Sequence, residues 1–306
     1  MKKVIEHLIS ASVFAHVEKH EKIYTGASGA QLYVIAADGK EYVLKTAAPG
    51  GRHMEEYKKE YAFYELNHTL RLPFAPEVVY MENHARHGII LVMKRYRPIA
   101  HSEWGRELQF RAVDLCAEFN SVPADKLASI ARFSPAAIDP IFTEKPYREW
   151  KTVLGQHRGE FDDSILDEIY KYIGLACPVL NGEPHYACHG DFHPENILMD
   201  GNRLVICDWQ NVNIGKSIGD ITFFISRGLG FGININADDL LDYYCGRLSQ
   251  RKGIPIEKAA LLKERYAATL LNVFSFWAYH LKNCSVERVA AQFDEMAKAY
   301  HYLVHN

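Results

Sequence analysis

Between Asn196 and Asp208 the chain has to turn back on itself, and that requirement constrains it more than any other stretch. Ile197-Leu198-Met199 and Leu204-Val205-Ile206-Cys207 are short apolar runs, and Asp200-Gly201 between them is a strong turn signal. Two short strands joined by such a turn bring their far ends together. Asn196 and Asp208 therefore end side by side, where two oxygen ligands can share one hard cation such as Mg²⁺. Asp191 stands five residues before Asn196, inside His189-Gly190-Asp191-Phe192-His193-Pro194-Glu195-Asn196.

Asp, four residues, Asn, and then an Asp on a later turn is a spacing that phosphoryl transfer uses. The stretch resembles the aminoglycoside phosphotransferase and choline kinase superfamily, small-molecule kinases with a protein-kinase-like fold. The resemblance rests on His189-Gly190-Asp191 with Asn196, on Val205-Ile206-Cys207-Asp208-Trp209 after the hairpin, and on Gly219-Asp220 further on. Three elements in order carry more than a lone short motif. The resemblance implies an α+β, two-lobed fold, with a small β-rich N-terminal lobe and a larger, mostly helical C-terminal lobe. It implies Asp191 as catalytic base, Asn196 and Asp208 as Mg²⁺ ligands, and supporting roles for His189 and Asp220.

Two other readings stay open. His189, Asp191, His193 and Asp208 have the chemistry of metal ligands and would suit a metal-dependent hydrolase, although no second ligand cluster of convincing spacing accompanies them. A nucleotide-binding pseudokinase would keep the motifs without turnover; Lys45, Glu60, Asp191, Asn196 and Asp208 all being present argues against it.

At 306 residues the chain suits about two lobes, each able to bury a core. We expect a nucleotide-binding lobe over 1–95 and a catalytic, substrate-binding lobe over 96–306. A net charge of −3 carries no basic footprint for nucleic acid. The six cysteines are scattered, with no Cys-x-x-Cys pair, which speaks against zinc ribbons and fits reduced thiols in a cytoplasmic protein. Glu6 and His7 interrupt the N-terminal apolar run, so an amphipathic helix with Val4, Leu8, Ile9 and Ala15 on one face is expected in place of a signal peptide. Leu270 to Tyr279 is too short to span a bilayer, so no membrane partner is expected.

Along the chain, Gln31–Ala36, Glu41–Lys45, Val78–Met81 and Gly88–Met93 read as strands, and Met54–Leu70 as a helix that Leu72-Pro73 ends. Helical spacing recurs at Leu108, Ala112, Leu115 and Phe119, over Ser164–Ala176 and over Asp238–Leu248. Glu257–Leu281 reads as one long core helix.

On the nucleotide side, Gly26, Ser28 and Gly29 form a loop whose backbone N–H groups are suited to phosphates. Lys45 closes a strand, where the family uses a Lys on the α and β phosphates of ATP or GTP. Glu55, Glu56 and Glu60 compete as its partner; Glu60 is preferred because an apolar run follows it, with Glu56 next. Met93, Lys94 and Tyr96 resemble the family's adenine-binding hinge. Gly215-Lys216-Ser217 mimics the end of a Walker A motif, but Gln210 stands where that motif needs Gly, so the segment reads as a loop.

The expected reaction moves the γ-phosphoryl group of ATP or GTP to a hydroxyl of a small molecule. Asp238, Asp239, Asp242, Trp277 and Tyr279 are candidates for an aminoglycoside-, choline- or sugar-like acceptor, with core packing and helix capping as the plainer reading. Asn120 departs from the family, which often has His there. The acceptor and the oligomeric state are not legible in the sequence.

Overall fold

The structure is a computed structural model that describes residues 1–23, 30–51, 53–137, 140–157 and 159–306; the side chains of 140–142 are not described. The elements in order are α1 (Lys2–Ser10), β1 (Val17–Ile23), β2 (Gln31–Ala37), β3 (Lys40–Ala47), α2 (Met54–Leu70), β4 (Val78–His84), β5 (Gly88–Lys94), β6 (Arg97–Pro98) and α3 (Arg106–Ser121). There follow α4 (Pro140–Gly155), α5 (Asp163–Tyr172), α6 (Ala176–Asn181), β7 (Tyr186–Cys188), β8 (Ile197–Asp200), β9 (Arg203–Ile206) and β10 (Asn213–Gly215). The chain ends with α7 (Ile218–Gly230), α8 (Ala237–Lys252), α9 (Lys258–Asn272), α10 (Ala278–Leu281) and α11 (Val286–His305).

Five strands form an antiparallel sheet in the order β1-β2-β3-β5-β4. Successive side chains on a strand point to opposite faces, so each strand serves two surfaces. Leu44, Ile90 and Val92 join Leu8 and Phe14 in a small core under α1. Ile89, Leu91 and Met93 point the other way, into the core shared with α2 and the helical lobe. Burial on both faces explains why β5 is an unbroken apolar run where an alternating pattern would mark a half-exposed strand. Lys45, next to Leu44, is thereby turned toward the helical lobe.

Helix α2 has the bounds expected from the sequence. Asn67 caps its end: its carbonyl accepts from Arg71 N at 2.8 Å and its side chain from Leu72 N at 2.9 Å. Other elements differ in detail. Strands β3 and β4 run longer than the apolar pattern shows, because ladder hydrogen bonds continue through polar residues at their ends. The Ser164–Ala176 pattern divides into α5, a 3₁₀ turn at Ile173–Leu175 and α6. Ala15 lies beyond α1, whose only buried residue is Leu8. The single helix expected over Glu257–Leu281 is α9 and α10 with a π-helical turn, Val273–Trp277, between them. That turn re-registers the helix. Phe274 is fully buried, while Phe276 and Tyr279 are 67% and 65% exposed, so the segment is not apolar-buried all round.

A second core, built from α4, α5, α9 and α11 around Trp150, Phe274 and Met296, holds the far end of the helical lobe. No helix among the described residues is long and apolar enough to cross a membrane.

Candidate active site

The hairpin of β8 and β9 forms as expected, with its two turn residues at Gly201-Asn202, one position beyond Asp200-Gly201, because Asp200 still pairs in the ladder. Asp200 pairs with Arg203 across the turn, where Gly201 takes φ +59°, and Ile197 pairs with Ile206. One further bond beyond the strands, Cys207 N to Asn196 O at 2.9 Å, brings Asn196 against the residue before Asp208. The Asn196 side chain then reaches back to the loop. Its Nδ2 donates to the Asp191 carbonyl at 2.9 Å and to Asp191 Oδ2 at 3.1 Å. With the amide nitrogen so committed, Oδ1 is the atom Asn196 has to offer a cation.

Asp208 sits at φ +66°, ψ +60°, a left-handed conformation that an ordinary side chain adopts only when its surroundings hold it. Here they do. Trp209 is fully buried, its Nε1 donates to Ile206 O at 2.8 Å, and its ring stacks on Phe63 at 3.9 Å with 10° between planes. Phe119 and His189 meet the same indole edge-on. Phe63 lies one helical turn after Glu60 on α2. The stack therefore fixes the helix that bears Glu60 to the turn that bears Asp208.

Lys45 joins the two. Its Nζ lies 2.6 Å from Glu60 Oε2 and 2.7 Å from Asp208 Oδ1. Burial opposes its charge, but the two carboxylates outweigh burial and raise its pKa, so it stays protonated. Burial pushes Glu60 up, against the pull of Lys45 and of the Trp209 backbone N–H that donates to it. Glu55 and Glu56, the competing partners, are engaged elsewhere, with Lys58 at 2.7 Å and His53 at 3.2 Å.

The loop carrying Asp191 is tied down from below. Asp220, buried at the start of α7, accepts from His189 N at 2.8 Å and Asn120 Nδ2 at 3.1 Å through Oδ2, and from Gly190 N at 2.9 Å through Oδ1. Gly190 takes φ +78°, and a Cβ there would collide with the Asn211 carbonyl, so the position needs glycine for both reasons. His189 Nε2 donates to Cys207 O at 3.1 Å while Nδ1 accepts from Asp191 N at 3.2 Å. Burial lowers its pKa to about 4, so the ring is neutral at pH 7, as that pair of bonds requires. Burial and the nearby Asp208 raise the Asp191 carboxyl above the usual range; Asn196 works against them.

Asn120 is a residue whose part sequence reasoning missed. It is fully buried and uses its whole side chain: Nδ2 donates to Ala187 O (2.7 Å) and Asp220, while Oδ1 accepts from Tyr244 OH (2.7 Å) and from Cys116 Sγ–H (3.2 Å). A polar residue on the apolar face of α3 was the available signal.

The metal-hydrolase alternative does not fit this geometry. Both ring nitrogens of His189 are committed, and among the described residues no three of His189, Asp191, His193 and Asp208 bring one ligand atom each within 4.8 Å of one another. Burial lowers the His193 pKa to about 4, so this ring too is neutral at pH 7. Gly215-Lys216-Ser217, expected as a loop, is a strand-to-helix turn: Gly215 ends β10, Ser217 is the N-cap of α7, and Lys216 between them is spent on Glu264 at 2.6 Å.

For the remaining sequence candidates the outcome is mixed. Gly26, Ser28 and Gly29 lie outside the described residues. Met93 is buried, Lys94 Nζ bonds Asp200 at 2.8 Å, and Tyr96 OH accepts from Glu77 N at 2.8 Å. The Lys94 and Arg95 N–H groups already donate to the Glu77 and Glu41 carbonyls. On α8, Asn236 takes the N-cap, which places Asp238 and Asp239 in the first turn; Asp239 pairs with Arg106 at 3.0 Å and Asp242 with Lys258. Trp277 packs on the second core and Tyr279 is exposed. The structure does not bring these five into the Asp191 cluster by any hydrogen bond or ion pair among the described residues.

A lysine held between two carboxylates on one side, and an Asp–Asn–Asp set around a hairpin on the other, define the class of a kinase-like phosphotransferase. The sequence matches the family model for the phosphotransferase enzyme family over residues 20–250, and the chain belongs to that family. A comparison with curated protein sequences gives no significant match. Among solved structures it resembles choline kinase from Cryptosporidium parvum Iowa II, at TM-score 0.61 and 13% identity, covering 100% of this chain and 97% of that one. Choline kinase LicA from Streptococcus pneumoniae gives 0.59 and 15%, covering 100% and 99%. The AMP-bound spectinomycin phosphotransferase APH(9)-Ia gives 0.62 and 14%, covering 96% and 94%. At such identities the likeness is one of fold.

Proposed function

We propose that this small-molecule phosphotransferase moves the γ-phosphoryl group of ATP or GTP to an alcohol hydroxyl, with Asp191 as the base. The observation that carries the proposal is the Lys45 bridge between Glu60 and Asp208, set beside an Asp191 held by Asn196.

The donor set fits a hard divalent cation. Asn196 has its amide nitrogen committed and only its oxygen to offer, and Asp208 Oδ2 has one weak contact, Gln210 Nε2 at 3.4 Å. These are oxygen donors of the kind Mg²⁺ takes together with substrate phosphates. When bound there, Mg²⁺ would neutralise phosphate charge and align the transferring group.

The residues then divide the work. Lys45 places a fixed positive charge for the phosphates, and Glu60 would hold it there with Asp208 engaged by a cation. Asp191 orients the acceptor hydroxyl and takes its proton. Its raised pKa makes it a better base than an exposed carboxylate. Asp220, His189 and Asn120 keep the loop in place, which matters because phosphoryl transfer depends chiefly on positioning and charge stabilisation.

The acceptor is of the hydroxyl-bearing class to which choline, ethanolamine, aminoglycosides and sugars belong. Nucleotide-dependent ADP or GDP release is to be measured with Mg²⁺ across those acceptors. An acceptor that raises release well above background supports transfer. Nucleotide binding with no stimulated release by any acceptor would favour a pseudokinase.

A further inference from the structure

Three histidines converge on the outer side of the small lobe, away from the Asp191 cluster. His7 comes from α1, and His84 and His87 from the hairpin joining β4 to β5. One nitrogen from each lies within 4.8 Å of the others, and the ring centroids are 4.7, 5.4 and 4.5 Å apart. All three are half-buried. His7 Nε2 is held by Glu82 Oε2 at 2.6 Å, and Tyr80 OH donates to the same oxygen at 2.7 Å.

We propose that His7, His84 and His87 form a binding site for a divalent first-row transition ion such as Zn²⁺, which fastens α1 to the β4–β5 hairpin. The site is independent of the phosphotransferase reading. Imidazole is a ligand for such ions and a poor one for Mg²⁺, so the two sites sort their metals by chemistry. Three protein nitrogens leave a fourth position to water, a common arrangement for zinc. A carboxylate on the far nitrogen of a ligating imidazole is the usual orienting partner, and Glu82 supplies it for His7. Packing alone accounts for less of this arrangement. Ring stacking explains His84 on His87, and the Glu82 bond explains His7, but neither calls for a third imidazole at the same point.

Tetrahedral Zn–N bonds of about 2.05 Å put donor nitrogens roughly 3.3 Å apart. Closing from 4.8 Å needs rotation of partly exposed side chains, with no change of fold. His84 gives something up. Its Nδ1 accepts from Arg86 N at 3.0 Å and His87 N at 3.1 Å, so the metal competes with the turn for that ring.

The test uses the full chain, stripped with chelator and kept in excess Mg²⁺. Zn²⁺ is titrated calorimetrically, and Co²⁺ serves as a spectroscopic probe. The expected result is one equivalent bound, Co²⁺ absorption without a thiolate charge-transfer band, and changed amide signals at Arg86 and His87. His87→Gln and His84→Asn, the latter keeping an acceptor for the turn, should each weaken binding at least tenfold. Glu82→Gln should weaken Co²⁺ binding with stoichiometry and metal-free melting temperature unchanged. A variant at the His301 and His305 pair on α11 should bind as wild type does. Absence of binding, a thiolate band, or undiminished affinity in His87→Gln would each overturn the proposal.

Discussion

Asp220→Asn removes one charge and keeps the side-chain shape. The carboxylate now accepts three N–H bonds, from His189, Gly190 and Asn120. The better amide orientation keeps the oxygen on His189 N and Asn120 Nδ2 and turns an NH₂ group toward Gly190 N–H, donor against donor. One charge-assisted bond, worth about 1.5–3 kcal/mol, is lost and two others become neutral. Burial pushes the Asp220 carboxyl up, so relief of a buried charge returns part of the loss. The net is roughly 2–4 kcal/mol of destabilisation. The loop bearing Asp191 loses its anchor at Gly190, and a displacement of about 1 Å costs on the order of 100-fold in rate. The Lys45–Glu60 pair is untouched, so the loss falls on kcat and not on the nucleotide KM. Urea unfolding with unchanged slope, together with steady-state kinetics, reads both effects. A variant within about 0.5 kcal/mol of wild type and with wild-type kcat would refute the anchoring role.

Further outcomes follow from the same contacts. Glu60→Gln leaves Lys45 with Asp208 alone, so the nucleotide KM should rise at least tenfold; an unchanged KM would show that Glu60 does not position Lys45. Phe63→Ala removes a fully buried ring from the stack on Trp209 and should cost about 3–5 kcal/mol, read by thermal or urea unfolding. His189 has a folded pKa of about 4 against an ordinary 6.5, so its contribution is fully present above about pH 6.5 and is lost as pH falls toward 4. The single-group figure is about 3 kcal/mol; Asp191, Asp220 and Glu60, raised by burial, work in the opposite sense and reduce the net. Wild type should therefore lose more stability than His189→Gln between pH 7.5 and 5, and parallel curves would contradict the assignment.

Much of the geometry was legible because it is local. A two-residue turn between short apolar runs forces Asn196 toward Asp208, and Leu72-Pro73 ends α2 whatever the rest of the chain does. Lys45 faces the helical lobe because strand alternation places it opposite Leu44. The π-helical turn at Val273–Trp277 was hidden, since its apolar residues also suit an unbroken helix. Asn120 stood out as a polar residue on an apolar helix face, but its role was hidden because its partners Ala187, Asp220 and Tyr244 lie far along the chain. The three histidines escaped for the same reason: His7 meets His84 and His87 only once α1 has packed on the sheet. The acceptor site stayed hidden because the motif residues handle phosphate, and the carboxylates of Asp239 and Asp242 turned out to be spent on Arg106 and Lys258.

The central claim is that Asp191 serves as base to the acceptor hydroxyl. Its most direct test is acceptor-stimulated ADP release by Asp191→Asn beside wild type, with saturating Mg²⁺ and nucleotide. A fall in kcat of about 100- to 10,000-fold with nucleotide binding retained is the predicted result. Turnover within a few-fold of wild type would contradict it.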